Sequence, residues 1–301
     1  MDVAQSVLDL IGRTPVLELH PPELRSEVHL FAKLEMFNPG GSVKDRLGRY
    51  LIEAALQDGR LEPGGTVVEP TAGNTGIGLA LAAIGRGIKV VLVVPEHFSK
   101  EKQDLMRALG GEVVNTPRDG GMALAIEEAH RIARERGGYV PQQFENQDNP
   151  DAHYRSTGPE LYEQLDGRID VLVAGAGTGG TLTGVARYIK EQRPGVKVVL
   201  VQPEGSVFAG GPAGRHRIEG IGNDFVPKTL DLSLVDEIET VPDEDAFAAV
   251  KDLGRTSGLL IGSSSGAAYV ASLRQAAKLS RGNIATIFVD SSERYLSKAI
   301  Y

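Results

Sequence analysis

The chain has 301 residues, of which 41% are hydrophobic and 24% charged, with a net charge of −8; this is an ordinary globular composition, sufficient for one large or two smaller domains. Acidic and basic residues are interspersed and the balance is acidic, which argues against nucleic acid as a main partner. There is no cysteine, so disulfides, thiolate metal sites, a cysteine nucleophile and cysteine-ligated haem are excluded, and no apolar run reaches the roughly 18 residues of a membrane span.

Asp2 and Asp9 precede any basic segment, so a signal peptide is not expected and the chain reads as cytosolic. The first strong signal is Asn38-Pro-Gly-Gly-Ser-Val-Lys44-Asp-Arg46. Val43, Leu47, Leu51, Ala54 and Ala55 recur at helical spacing, predicting a helix with Ser42 as N-cap and Lys44 in its first turn. A cation is poorly placed at that end of the helix dipole. A neutral amine or an imine fits better, and only an unprotonated lysine attacks a carbonyl. The alternative is a solvated surface lysine paired with Asp45 or Glu35.

Strands and helices then alternate, the pattern of a mainly parallel α/β sheet. Strands are predicted over 66–69, 89–94, 112–115, 170–174, 196–202 and 283–289. Helices are predicted over 75–84, 99–109, 121–136, 180–192, 243–256 and 266–279. A seam between domains falls near 141–150, where Gln, Asn and Pro cluster.

Three glycine-rich turns each open a helix. The first, Glu69-Pro70-Thr71-Ala72-Gly73-Asn74-Thr75-Gly76, offers hydroxyls, an amide and backbone N–H groups to an anion, or is simply a capped turn that binds nothing. The second, Gly175-Ala176-Gly177-Thr178-Gly179-Gly180-Thr181, suits a phosphate. It also matches G-x-G-x-x-G with Glu204 downstream, which leaves a dinucleotide site and an NAD-binding oxidoreductase as the rival reading. The third, Gly262-Ser263-Ser264-Ser265-Gly266, matches a nucleophile elbow, but the last histidine, His216, lies upstream of the serines, so the hydrolase order fails. These serines otherwise serve as helix caps or meet a ring nitrogen. The histidines His20, His29, His97, His130, His153 and His216 show no metal-ligand spacing, so no metal is expected.

Together these motifs resemble the fold-type II pyridoxal-phosphate (PLP) enzymes, and within them the cysteine synthase and cystathionine β-synthase family. The likeness runs from Ile11-Gly12-Arg13-Thr14-Pro15 to Glu293-Arg294-Tyr295-Leu296-Ser297. It implies two parallel-sheet α/β domains of the tryptophan synthase β-like kind: residues 1–41 with 147–301 as the larger domain holding the cofactor phosphate, and 42–146 as a smaller movable domain carrying the substrate-carboxylate loop. By the same resemblance Lys44 is the lysine that bonds the cofactor aldehyde and shuttles the α-proton. Gly177, Thr178, Gly179, Gly180 and Thr181 form the phosphate cup, and Asn74 sits beside the cofactor's 3′ oxygen. Thr71, Ala72, Gly73, Asn74, Thr75 and Gln143 surround the substrate carboxylate, and Gly220 belongs to a loop closing over the substrate amine. Ser264 faces the pyridine nitrogen, with Ser265 open as the alternative.

The activity so implied is β-replacement on O-acetylserine or serine through an aminoacrylate, with ping-pong kinetics, in a homodimer. The first choice of thiol is sulfide, giving cysteine; homocysteine, the cystathionine β-synthase reaction, is the alternative. Ala152-His153-Tyr154, Pro203-Glu204-Gly205-Ser206 and Glu219-Gly220-Ile221-Gly222-Asn223-Asp224-Phe225 resemble cystathionine β-synthase, whereas 293–297 resembles cysteine synthase. Ala72 stands where many cysteine synthases have serine, as in bacterial enzymes that resemble O-acetylserine-dependent cystathionine β-synthases.

Overall fold

The computed structural model describes residues 3–71, 73–298 and 300–301. Ala72, one of the expected carboxylate positions, lies outside the described residues. In chain order the elements begin with β1 (Val16–Leu19), β2 (Val28–Leu34), α1 (Lys44–Gln57), β3 (Thr66–Pro70), α2 (Asn74–Ala83), β4 (Lys89–Pro95), α3 (Lys100–Ala108), β5 (Glu112–Thr116) and α4 (Gly121–Arg136). They continue with α5 (Asp148–Arg155), α6 (Thr157–Gln164), β6 (Val171–Gly175), α7 (Gly180–Gln192), β7 (Lys197–Pro203), β8 (Glu237–Val241), α8 (Asp243–Thr256), α9 (Ser263–Lys278) and β9 (Gly282–Phe288).

The chain divides into two compact units, one of residues 3–11 and 38–148, the other of residues 12–37 and 149–301. The expected boundary placed 1–41 wholly with the larger unit. Residues 3–11 instead join the smaller one, where the Arg49 guanidinium donates to the Leu8 carbonyl at 3.0 Å and Leu8 is buried.

In the smaller unit β3, β4 and β5 form a parallel sheet with β4 central. The run Val90–Val94 is apolar at every position because a central parallel strand is covered on both faces. Ala125, Ala129, Ile132 and Ala133 of α4 close one face over Val68, Val91 and Val93. Burying a side chain such as Ile132 contributes about 1.5–3 kcal/mol. The helices α1 and α2 cross in backbone contact. A methyl group at Gly48 would overlap the Gly78 carbonyl, and one at Gly78 would overlap the carbonyl of Lys44. Glycine inside a helix costs about 1 kcal/mol relative to alanine; here it buys a close approach that ties the start of α1 to α2.

In the larger unit the strand order is β1-β2-β9-β6-β7-β8, with β1 antiparallel to β2 and the remaining pairs parallel. Strand alternation sorts side chains to two cores. Val171, Val173, Val199, Val201, Ile284 and Phe288 face α8 and α9. Leu172, Ala174, Val198, Leu200, Ala285 and Ile287 face α6 and α7.

The strands β1, β2 and β8 and the helices α5 and α6 are not predicted from the sequence. The segment 141–150, the expected seam, contains the division between the units after Asp148 and runs into α5, where Pro150 occupies the first turn. Proline is tolerated there because that amide has no acceptor inside the helix.

Candidate active site

Lys44 is the first residue of α1. The expected cap is displaced by one residue: Val43 holds the N-cap position with no side-chain bond, and the Ser42 hydroxyl accepts from the Lys44 N–H at 3.2 Å. The surface-lysine alternative does not hold. Lys44 is partly buried, and the Asp45 carboxylate accepts from the Gly40 amide. Burial lowers the Lys44 pKa from 10.5 to about 8, and the Glu69 charge pulls the other way. An amine titrating there is neutral far more often than an exposed lysine.

Gly78 holds the backbone of Lys44 against α2, whose first residues are Asn74 and Thr75. In the turn before them the Thr71 hydroxyl accepts from the Gly73 N–H at 3.0 Å. The Thr75 hydroxyl donates to the Gln143 side-chain carbonyl at 2.7 Å. Gln143 arrives from the segment after α4, directly behind Gln142, which adopts a left-handed φ of 56°. The smaller unit thus gathers Lys44, Thr71, Gly73, Asn74, Thr75 and Gln143 around α1 and α2.

Sequence reasoning missed Glu69. It is the last residue but one of β3, is fully buried, and accepts from the Gln142 N–H through Oε2 at 3.2 Å. Burial raises its pKa from 4.5 to about 8, opposed by hydrogen bonds from Gln142 and Gln143 and by the Lys44 charge. A carboxylate directly after buried valines was the available signal.

In the larger unit the turn after β6 leads into α7. Gly179 is the N-cap with φ +82° and has no side chain with which to cap the helix. The first N–H groups of α7 have no acceptor within the helix and make an anion site with the dipole. Among the described residues the Gly180 N–H meets the Thr178 hydroxyl, at a long 3.4 Å. Neighbouring side chains bond several of the turn's polar groups. Asn149 donates to the Thr178 hydroxyl at 3.0 Å, Thr229 to the Thr178 carbonyl at 2.5 Å, and Asn223 to the Gly177 carbonyl at 2.6 Å. His153 bonds the Thr181 hydroxyl through Nε2 at 3.2 Å and the Thr157 hydroxyl through Nδ1 at 2.9 Å.

The three serines do not cap α9. Gly262 is the N-cap, and Ser263, Ser264 and Ser265 form the first turn. Ser263 accepts from the Glu219 N–H at 3.3 Å, and Ser265 accepts from the Val289 N–H at 3.0 Å. The Ser264 hydroxyl instead faces Gly220, 3.9 Å from where a Cβ there would lie. Gly220 in turn backs onto Gly177. The larger unit therefore brings Gly177–Thr181, Gly220 and Ser264 to one place.

Residues 7–290 match the model of the pyridoxal-phosphate dependent enzyme family. The chain belongs to that family. Its relatives include the O-acetylserine dependent cystathionine beta-synthase of Bacillus subtilis, 52% identical with 100% of this chain and 99% of the relative covered. A cysteine synthase of Helicobacter pylori is 48% identical, with 100% of both chains covered. Among solved structures, the O-acetylserine dependent cystathionine beta-synthase from Helicobacter pylori superposes with a TM-score of 0.96 at 46% identity, covering 100% of both chains. The chain is thus a PLP-dependent β-replacement enzyme of the tryptophan synthase β-like fold, and its cofactor is PLP.

The residues present fit that cofactor. Side chains at Gly177, Gly179 and Gly180 would overlap Gly220, Leu230 and Asn149, so the cradle stays open only with glycine. Its backbone N–H groups and threonine hydroxyls are the kind of donor set that a phosphate dianion requires. The neutral-prone Lys44 amine is what an aldehyde requires. The NAD-binding alternative rested on the 175–180 turn alone, and the family match over residues 7–290 replaces it. Among the described residues no helix is long and apolar enough to cross a membrane.

Proposed function

We propose that this enzyme replaces the β-substituent of O-acetylserine, or of serine, with a thiol. Sulfide is the first choice, giving cysteine, and homocysteine is the second reading, supported by the names of the relatives at 52% and 46% identity. The observation that carries the reading is the seating of Lys44: an amine of lowered pKa, locked by Gly78 beside the Thr71–Gly76 turn.

When bound, PLP supplies an aldehyde that condenses with amines and a ring that accepts the electrons left when a bond to Cα breaks. Gly177, Thr178, Gly179, Gly180 and Thr181 hold its phosphate, Asn74 its 3′ oxygen, and the Ser264 hydroxyl its ring nitrogen. A hydroxyl there, unlike a carboxylate, leaves that nitrogen largely unprotonated. Thr71, Gly73, Asn74, Thr75 and Gln143, with Ala72 between them, bind the substrate carboxylate. Gly220 presents backbone to the substrate amine. The neutral Lys44 amine accepts the proton from Cα, the Cβ–O bond breaks with loss of acetate from O-acetylserine (water from serine), and after the thiol has added to the β-carbon as its thiolate, Lys44 returns the proton to Cα. The smaller unit moves with the carboxylate turn and excludes water from the reaction. A cytoplasmic homodimer completes the reading.

The test uses purified protein loaded with PLP. It should be yellow, its visible absorbance should change on adding O-acetylserine, and sulfide or homocysteine should restore the spectrum with release of amino-acid product. Lys44→Ala should retain some cofactor yet lose turnover by at least about 10³-fold. A protein that binds no PLP, or a Lys44→Ala variant that turns over normally, rules the reading out.

A further inference from the structure

Glu69 holds the turn that delivers Gln143. It is fully buried at the carboxyl end of β3, beside the entry to the Thr71–Gly76 turn. Its Oε2 accepts from the Gln142 amide, and its Oε1 is buried with no hydrogen-bond partner among the described residues. The residue that it grips, Gln142, has φ 56°, a conformation that costs a non-glycine residue about 1 kcal/mol or more unless its surroundings enforce it. The next residue's side chain is bonded to Thr75. A buried carboxyl thus stands behind a strained turn whose next side chain meets the start of α2.

The same carboxyl acts on the amine at the start of α1. Lys44 and Glu69 each feel the other's charge, and Glu69 also acts on Tyr139, which follows α4 and bridges to β3 at Val67. Burial works against the charged form of both Lys44 and Glu69, while their opposite charges favour having both ionised.

Taking the reading above as the basis, we infer that Glu69 is a positioning residue with two outputs: it pins the Gln142–Gln143 turn so that Gln143 meets Thr75, and its ionisation sets how firmly Lys44 holds a proton. A purely structural carboxyl would do the first and not the second.

The PLP-loaded protein, as wild type, Glu69→Gln and Glu69→Asp, tests this. Glutamine keeps an acceptor for the Gln142 amide but cannot ionise. Removing the nearby anion lowers the affinity of Lys44 for its proton, so the acid limb of the kcat–pH profile in Glu69→Gln should move to lower pH by about 0.5–1 unit. The second readout is thermal. The folded-state pKa of Glu69 is raised from 4.5 to about 8, so its cost to stability is absent below the lower value, grows as pH rises between them, and is complete above the upper one. The melting temperature of Glu69→Gln minus that of wild type should therefore climb across that window and level off. Glu69→Asp keeps the charge on a shorter stem. It should keep the wild-type pH dependence of melting and raise KM for the amino-acid substrate by about 10-fold as the turn loosens.

A pH-independent melting difference together with an unmoved acid limb in Glu69→Gln overturns the inference. If Glu69→Gln does not fold, wild-type KM in Glu69→Asp overturns it instead. Either result leaves the assignment of Lys44 standing, because wild-type turnover and its loss in Lys44→Ala are measured alongside.

Discussion

Gly177 lies so close to Gly220 that a methyl group on the first would overlap the carbonyl of the second. Gly220 itself has φ +88° and faces the Ser264 hydroxyl. The cradle before α7, the loop around Gly220 and the first turn of α9 are therefore one packed assembly, and moving one moves the others. Gly177→Ala should lower affinity for PLP by about 10-fold or more and destabilise the protein by about 1–3 kcal/mol, the usual cost of overpacking. Titration of cofactor-free protein by visible absorbance, with denaturant melts beside it, measures both. Gly195→Ala is the control: nothing lies within 4 Å of its added methyl group, and both values should stay at wild type.

Thr181 contributes through its partner. Its hydroxyl meets His153 Nε2 at 3.2 Å, and His153 is fixed from its other nitrogen by Thr157 at 2.9 Å. Since His153 is completely buried, losing the Thr181 hydroxyl costs part of a desolvated hydrogen bond, about 1–3 kcal/mol. Thr181→Val should weaken PLP binding by about 10-fold, and Thr181→Ser should restore it. Equal binding by valine and serine variants would show that the hydroxyl has no part in holding the phosphate.

Adjacent serines should behave oppositely. Ser265 is fully buried and accepts from the Val289 amide, which links α9 to the end of β9. Ser265→Ala leaves that amide without its acceptor and should cost about 1–2 kcal/mol, with the absorbance maximum of bound PLP unchanged. Ser264→Ala should leave stability within about 0.5 kcal/mol and change the spectrum and its pH dependence, because the hydroxyl assigned to the ring nitrogen is gone. Spectra and melts of the two variants, side by side, decide between the serines.

What could be read in advance follows from the range of the forces involved. Lys44, the 71–76 turn and the 177–181 turn were visible because helix starts, glycine clusters and hydroxyls are local in sequence. Glu69, His153, Asn149 and Asn223 were not assigned, because each acts on a residue far away in the chain: Glu69 on Gln142, and Asn223 on Gly177. Gly48 and Gly78 carried a signal that was not used, since a glycine inside a helix needs a reason and theirs is the contact between α1 and α2. The strand β1 is four residues long with an irregular burial pattern, too short for alternation to register. In α5, Asn and Pro composition hid a helix whose proline sits where proline is harmless.

Lys44 also predicts how stability depends on pH in the cofactor-free protein. Its folded-state pKa is lowered from 10.5 to about 8 by burial. Below the folded value the amine is charged in both folded and unfolded chains, so the full burial penalty applies. Above the unfolded value it is neutral in both, and the penalty is gone. Stability from this group therefore rises with pH across the interval between them. A shift of this size corresponds to about 3 kcal/mol, reduced to about 1–3 kcal/mol because the side chain retains some solvent contact. Lys44→Met should accordingly be more stable than wild type at neutral pH by about that amount, with the advantage constant below the folded pKa and fading as pH rises through the interval. Denaturant melts of the two cofactor-free proteins at a series of pH values measure the gap directly. An advantage that does not shrink on going alkaline would mean that the amine is not desolvated in the folded chain.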